Sequence, residues 1–135
     1  MRAMIDHIGI AVADLEEASR LYQTLGLEVG EVEVVASEQV QLRVVRGGET
    51  LIELLEATSG ESAIQHFLAK RGPGLHHIAL RVSHLEARLR QLQAAGYQVL
   101  DQIPRLGRDG TRVAFIHPRS ASGVLLELVE RPEPK

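Results

Sequence analysis

Residues 6–12 read DHIGIAV and residues 76–82 read HHIALRV, so the chain contains one motif twice, seventy positions apart. The register continues without a gap through further matched pairs: Leu15 and Leu85, Glu16 and Glu86, Gln23 and Gln93, Gly26 and Gly96, Val29 and Val99. The halves also end alike, as LIELLE at 51–56 and LLELVE at 125–130. A match over this length indicates a duplicated unit.

Composition limits the classes of protein that fit. A chain of 135 residues with 44% hydrophobic residues has the core of one domain. The absence of cysteine excludes disulfides, thiolate catalysis and zinc fingers, so any metal must bind to imidazole and oxygen. A net charge of −3 with two Phe and two Tyr argues against nucleic-acid binding and favours a small-molecule substrate. No apolar stretch approaches the roughly 20 residues of a membrane span, and the N-terminus lacks a signal-peptide pattern, so we expect a cytoplasmic protein.

The first half is predicted to fold as a βαβββ module. Alternation over 6–12 predicts a strand with His7, Gly9 and Ala11 on one face and Ile8, Ile10 and Val12 on the other. Asp14 followed by Glu17 is a capping signal for a helix over 14–25. Apolar residues recur through this helix at helical spacing: Ala18, Leu21, Tyr22 and Leu25. Strands are predicted next at about 28–35, 39–46 and 50–56.

The second half is predicted to repeat this order after a linker at 57–74. A capping signal at 62–65 predicts a short linker helix, which the glycines of Gly72-Pro73-Gly74 end. The second module then has a strand at 75–82, a helix at 84–95 with Leu85, Leu89 and Leu92 inward, and strands near 97–102, 111–117 and 123–130. Residues 131–135 are predicted to fray. We therefore expect a single domain over 1–135, with modules at about 5–56 and 75–130.

Two histidines and two glutamates occupy matched positions: His7 with His77, and Glu53 with Glu127. A lone strand histidine or glutamate is more often an ordinary core or surface residue. Here each recurs in both halves, and a carboxylate in an apolar strand is costly to bury without a partner. Imidazole and carboxylate suit a divalent transition metal, with Co²⁺, Mn²⁺, Ni²⁺ and Zn²⁺ all compatible. His76 is a weaker candidate ligand because it matches Asp6 and faces the other side of its strand.

Three segments resemble the methylmalonyl-CoA epimerase family of the vicinal oxygen chelate superfamily, which also contains glyoxalase I: DHIGIAV, GLHHIALRV at 74–82 and FIHPRSASGVLLELVE at 115–130. The resemblance covers about residues 5–130. It implies an α+β fold of paired βαβββ modules, with mixed sheets curled around a metal cleft. It also implies that His7, His77 and Glu127 are metal ligands, with Glu53 at a fourth position that such enzymes fill with Gln or Glu.

The activity implied by the resemblance is interconversion of the 2R and 2S forms of methylmalonyl-CoA through an enolate. A divalent cation can stabilise the developing oxyanion by several kcal/mol, and a positioned base removes the α-proton. We expect Glu127 to be the first base and Glu53 the second. The resemblance also points to the strand after Glu38, but residues 40–42 carry no carboxylate there, so a different second base stays unassigned, with Glu38 and Glu49 as weak candidates.

An acyl-CoA substrate has anionic phosphates, which basic residues near the cleft would bind. Several arginines offer this charge, although solvated loop residues explain them equally well: Arg43, Arg46, Arg105, Arg108, Arg112 and Arg119. His66, His84 and His117 have no counterpart in the other half and are interpreted as surface or packing residues.

Two other functions fit the same fold. One is a glyoxalase I-like lactoylglutathione lyase, which the HPRSASGV segment disfavours. The other is a non-catalytic drug-binding protein, which would not need four mirrored ligands, and fold alone decides neither alternative. Two apolar faces and exposed sheet edges in so small a chain predict a homodimer.

Overall fold

The computed structural model describes residues 3–132, and these residues form two compact units. The N-terminal unit is His7–His76. The C-terminal unit combines the residues up to Asp6 with those from His77 onward. Within the described range, no helix has the length and apolar character needed to cross a membrane.

The elements largely follow the predicted order. They are β1 (Met4–Ala11), α1 (Leu15–Thr24), β2 (Glu28–Val29), β3 (Glu33–Val35), β4 (Val40–Arg46), β5 (Leu51–Ala57), α2 (Ala63–Arg71), β6 (Gly74–Arg81), α3 (Leu85–Ala94), β7 (Arg105–Leu106), β8 (Arg112–Ile116) and β9 (Leu126–Glu130). Short 3₁₀ turns lie at Ala36–Glu38, Arg108–Gly110 and Pro118–Ser120. The three predicted helices are therefore confirmed to within a few residues.

In the N-terminal unit both faces of the sheet are covered by helices. β1 runs parallel to β5, and β4 pairs antiparallel with both β5 and β2. On one face α1 packs through Leu15, Ala18 and Tyr22. On the other face α2 packs through Ile64, Phe67 and Leu68, against a cluster that includes Ala11, Val44 and Leu55.

In the C-terminal unit the helix covers one face only. β6 runs parallel to β9, β8 pairs antiparallel with β9, and β7 with β8. Leu85, Leu89 and Leu92 of α3 pack against residues such as Leu128, as predicted. The small cluster on the opposite face consists of Ala79, Val113 and Val129 and includes no helix residue from the described range.

The predicted strand at 28–35 is wrong in its middle, where a β-bulge divides it into β2 and β3. Val29 lies opposite Val45 and Glu33 opposite Leu42, so three residues of one strand oppose two of β4. The Arg43 guanidinium donates through Nε to the Gly30 carbonyl oxygen, 2.8 Å away. This side-chain bond satisfies a carbonyl within the bulge.

The predicted strand at 97–102 is also wrong, because only an isolated bridge between Val99 and Ile116 forms there. The Asp101 carboxylate accepts the N–H of Phe115 at 2.9 Å. The Asp101 side chain thus binds the Phe115 N–H, which in a continued strand would bind a backbone carbonyl. β7 was not predicted.

Two further expectations are wrong: the inward positions of two leucines of α1, and the start of the frayed tail. Leu21 and Leu25 are exposed, because the inward stripe of α1 follows Leu15, Ala18, Ser19 and Tyr22 instead. Ser19 is buried with its hydroxyl donating to the Leu15 carbonyl at 2.7 Å. The predicted frayed tail begins too early, since Arg131 is hydrogen-bonded, while residues 133–135 lie outside the described range.

Asp6 anchors the start of β1 within the C-terminal unit. Its carboxylate is 1% exposed and accepts from Nε of Arg81 at 2.9 Å and from Nε of Arg131 at 2.7 Å. Arg131 also donates through Nη2 to the second carboxylate oxygen at 2.9 Å. Because charge-assisted bonds from two guanidinium groups offset the cost of burial, the charge of Asp6 is accounted for without a catalytic role.

The last glutamate of each repeated segment binds the first turn of a helix. Glu56 accepts the N–H of Leu15 at 2.8 Å, and Glu130 accepts the N–H of Leu85 at 3.0 Å. α1 has a second cap, because Asp14 accepts the N–H of Glu17 at 3.0 Å. At α3 the N-cap residue, His84, makes no side-chain cap bond. The start of α3 therefore depends more heavily on its strand-borne carboxylate.

We expect Glu130→Ala to lower the free energy of unfolding by about 1–2 kcal/mol, because it removes this cap from α3. Glu130→Gln, which keeps an acceptor oxygen, should cost less. Urea denaturation followed by circular dichroism measures both. Glu31→Ala, at an exposed position, is the control and should stay within about 0.5 kcal/mol of the parent; a loss for Glu130→Ala no larger than this control contradicts the capping role.

Candidate metal centre

His7 and Glu53 form a buried pair in the N-terminal unit. The distance from His7 Nε2 to Glu53 Oε1 is 3.5 Å, and the two side chains are 7% and 8% exposed. Parallel pairing of β1 with β5 places Gly9 directly opposite Glu53. His7 and Gly9 share a face of β1, and glycine has no side chain to occupy the space beside the carboxylate. The small residue thus allows the histidine and the glutamate to meet diagonally across the strands.

The C-terminal unit repeats this arrangement with His77 and Glu127. His77 Nε2 lies 3.2 Å from Glu127 Oε1, and the side chains are 7% and 11% exposed. β6 runs parallel to β9, and Ala79 lies directly opposite Glu127. A histidine, a small residue two positions later and an opposing glutamate therefore recur in both units. Each unit by itself brings one predicted histidine close to one predicted glutamate.

The donor set fits a divalent transition metal. His7, His77 and Glu127 are buried residues whose imidazole nitrogens and carboxylate oxygens are the donor types that such a metal prefers. Burial of a carboxylate is costly without compensating charge or hydrogen bonds, so an adjacent cation is a physically reasonable partner for it. Imidazole and carboxylate ligands do not discriminate among the later divalent metals.

Two other histidines, His76 and His117, make structural contacts. The His76 ring packs edge-on against Phe67, with centroids 5.0 Å apart. His117 caps a 3₁₀ turn, since its Nδ1 accepts the N–H of Arg119 at 3.0 Å. The His117 contact agrees with its interpretation as a packing residue, and the His76 contact agrees with its weaker rank as a candidate ligand.

Most of the arginines suggested for phosphate binding have acidic partners within their own unit. Arg43 pairs with Glu16 and Arg46 with Glu28. In the C-terminal unit Arg105 pairs with Asp101, and Arg108 with Asp109. Such pairs agree with the alternative interpretation of these arginines as solvated surface charges.

Arg112 is bound to two carboxylates. It forms ion pairs with Glu86 and Glu130. Its hydrogen bond lowers the pKa of the Glu86 carboxyl below the ordinary value, and the same bond raises the pKa of Arg112. Arg112 therefore links β8 to the first turn of α3 through Glu86 and to β9 through Glu130.

The two weak candidates for a second base differ in environment. Glu38 is half-buried and ends the 3₁₀ turn Ala36–Glu38, before Gln39 with its left-handed backbone at φ 56°. Glu49 is exposed in the turn between β4 and β5. Burial therefore favours Glu38 over Glu49 as the second base.

The sequence patterns did not predict Phe115 as a site residue, yet its ring contacts His77. The ring centroids are 6.1 Å apart at an interplanar angle of 84°. Phe115 lies directly opposite Glu127 in the pairing of β8 with β9. Strand alternation alone could not find it, because the pairing of β8 with β9 had to be known.

Comparison with known proteins identifies relatives over most of the chain. Residues 6–115 match the model of the Glyoxalase/Bleomycin resistance protein/Dioxygenase superfamily. The ethylmalonyl-CoA/methylmalonyl-CoA epimerase of Cereibacter sphaeroides is 37% identical over 95% of this chain and 98% of its own. The mitochondrial methylmalonyl-CoA epimerase of Mus musculus is 35% identical over 92% of this chain and 71% of its own.

Solved structures give the same result. The methylmalonyl-CoA epimerase of Mycobacterium tuberculosis has a TM-score of 0.89 and 38% identity, and the match covers 96% of this chain and 88% of that one. A methylmalonyl-CoA epimerase in complex with methylmalonyl-CoA and NH4+ has a TM-score of 0.88 and 38% identity, with coverage of 97% and 96%. The α+β fold of paired βαβββ modules is thereby confirmed.

Proposed function

The chain belongs to the methylmalonyl-CoA epimerase family of the Glyoxalase/Bleomycin resistance protein/Dioxygenase superfamily, and we propose that it interconverts the 2R and 2S forms of methylmalonyl-CoA. The observation that carries this proposal is the buried His–Glu pair that each unit holds at matched positions. A sequestering protein that only binds a drug has no need for these paired ligands. The named relatives favour the epimerase over a glyoxalase I-like lyase.

We propose that one divalent metal ion binds to His7, Glu53, His77 and Glu127. Support comes from the duplication, from the burial of all four side chains and from the short distance between nitrogen and oxygen in each pair. When bound, such an ion supplies positive charge that stabilises the oxyanion developing on the substrate thioester. Co²⁺, Mn²⁺, Ni²⁺ and Zn²⁺ all suit these donors.

Glu127 is the proposed base that removes the α-proton of the substrate. It is an ionisable carboxylate in a buried strand, and Phe115 and His77 flank it. Inversion requires an acid that returns a proton to the opposite face of the planar intermediate. Glu53 is one candidate for that acid, and the half-buried Glu38 is the other. The exposed carboxylate of Glu49 is poorly placed to exclude water from a proton transfer.

Two further properties belong to the proposal. Apolar side chains remain exposed on the described surface, for example Ile103 at 80% and Leu106 at 70%, and burial of such residues supports association into a homodimer. We also propose a cytoplasmic location, with which a small-molecule acyl-CoA substrate is compatible.

The purified protein loaded with divalent metal should convert either pure isomer of methylmalonyl-CoA to the racemate and exchange its α-hydrogen in deuterated water. Chiral coupled assays and mass spectrometry measure the two events. Methylglyoxal with glutathione, tested in parallel, should give no lactoylglutathione. Production of lactoylglutathione without epimerisation would favour the lyase, and inactivity on both substrates would contradict the proposed activity.

His7→Ala and His77→Ala should each lose bound metal while the fold survives, because each removes one imidazole from the proposed ligand set. Elemental analysis after reconstitution measures the metal, and circular dichroism monitors the fold. His66→Ala, at an exposed position in α2, is the control and should keep full occupancy. Full occupancy in both test variants rules out the proposed site.

Glu127→Gln should lose about 10²-fold or more of its α-hydrogen exchange while retaining much of its metal. The amide oxygen can still coordinate, whereas an amide cannot accept a proton at neutral pH. Exchange and metal content are measured on the same sample. Exchange near the parent rate with metal retained assigns the base elsewhere. Glu38→Gln decides between the two candidates for the second proton transfer: slower isomer interconversion assigns that role to Glu38, whereas an unchanged rate leaves it with Glu53. Glu49→Gln is the matched control and should keep the parent rate.

A further inference from the structure

Phe115 lies on the same face of the C-terminal unit as its His–Glu pair. Its Cα is the direct strand partner of Glu127, so the two side chains point to the same side of the sheet. Its ring meets the His77 imidazole edge-on. A large apolar surface therefore borders both proposed ligands of this unit.

The ring is held in place from two sides. The Arg105 guanidinium lies over the ring, 5.2 Å from its centroid, a geometry that a cation–π interaction stabilises. Asp101 binds both parts of this contact: its carboxylate lies 3.2 Å from Arg105 Nε and accepts the backbone N–H of Phe115 at 2.9 Å. Phe115 thus has a fixed position that a bound molecule would meet as a rigid surface.

The matched position of the other unit holds a valine, so the repeated sheet does not by itself call for an aromatic residue there. Val44 is the strand partner of Glu53, as Phe115 is of Glu127. Val44 is 2% exposed and packs in the core cluster beneath α2. Phe115 is only half-buried and belongs to none of the buried clusters of the described residues. The same position therefore serves the core in one unit and remains partly accessible in the other.

We infer that Phe115 is a specificity-determining residue that contacts the alkyl substituent at C2 of the acyl-CoA substrate and limits its size. The inference rests on the proposed function, because it takes the α-carbon to react beside Glu127. A methyl group buries little apolar area against a carboxylate or an imidazole, whereas the phenyl ring offers it a larger apolar surface. A rigid ring also opposes an additional methylene, and one methylene in a closely fitting pocket changes selectivity by about 10- to 200-fold.

The test compares kcat/KM for methylmalonyl-CoA and 2-ethylmalonyl-CoA in the parent, Phe115→Leu and Phe115→Ala. We expect the ratio of the ethyl to the methyl substrate to rise about 10-fold or more in Phe115→Ala, and less in Phe115→Leu. Calorimetric titration with each thioester should show the same direction in the dissociation constants. Phe67→Leu, which alters the other phenylalanine within the α2 cluster, is the matched control and should keep the parent ratio.

Metal content and circular dichroism of each sample separate the possible outcomes. A ratio within twofold of the parent, in variants that keep metal and fold, overturns the inference. Loss of metal without a change of ratio also overturns it, because Phe115 would then only orient His77. A parent protein that turns over neither thioester contradicts the proposed function itself, so the parent is assayed before the variants.

Discussion

The central constraint on this molecule is the burial of a histidine and a glutamate side by side in each of its two units. Ionised carboxylates leave water only at a considerable cost in free energy, and neutral imidazoles need partners for both ring nitrogens. Other features of each unit accommodate this demand. Parallel strand pairing brings the glutamate strand beside the histidine strand, and Gly9 and Ala79 supply the space into which the carboxylates project.

The same repeated segment also caps a helix in each unit. Three residues after the buried Glu53 and Glu127 come Glu56 and Glu130, which bind the first N–H groups of α1 and α3. Two residues of one strand thus serve different purposes: one carries the proposed chemistry and the other fixes a helix. This explains why the sequence LxELxE persists in both halves over more positions than a ligand alone would require.

Strand and helix order could be predicted from the sequence because alternation and capping act locally. Asp14 and Ser62 cap their helices as the pattern indicated. The failures arise where a side chain satisfies a backbone group across the sheet. Arg43 binds the Gly30 carbonyl within a bulge, and Asp101 takes the N–H of Phe115 in place of a strand. Periodicity contains no information about such contacts. The four ligand candidates could be identified because they are duplicated, whereas Phe115 has a valine as its counterpart and could not.

The junction between Asp6 and His7 separates two units of structure within a single strand. Asp6 supplies the carboxylate that neutralises Arg81 and Arg131 far along the chain, while His7 begins the other unit. The boundaries of the repeats in sequence therefore differ from the boundaries of the units in space. A fragment that starts in the 57–74 linker would contain both arginines without the Asp6 carboxylate that binds them. The C-terminal copy thus depends, for the charge of two of its arginines, on a carboxylate that precedes the first copy's histidine.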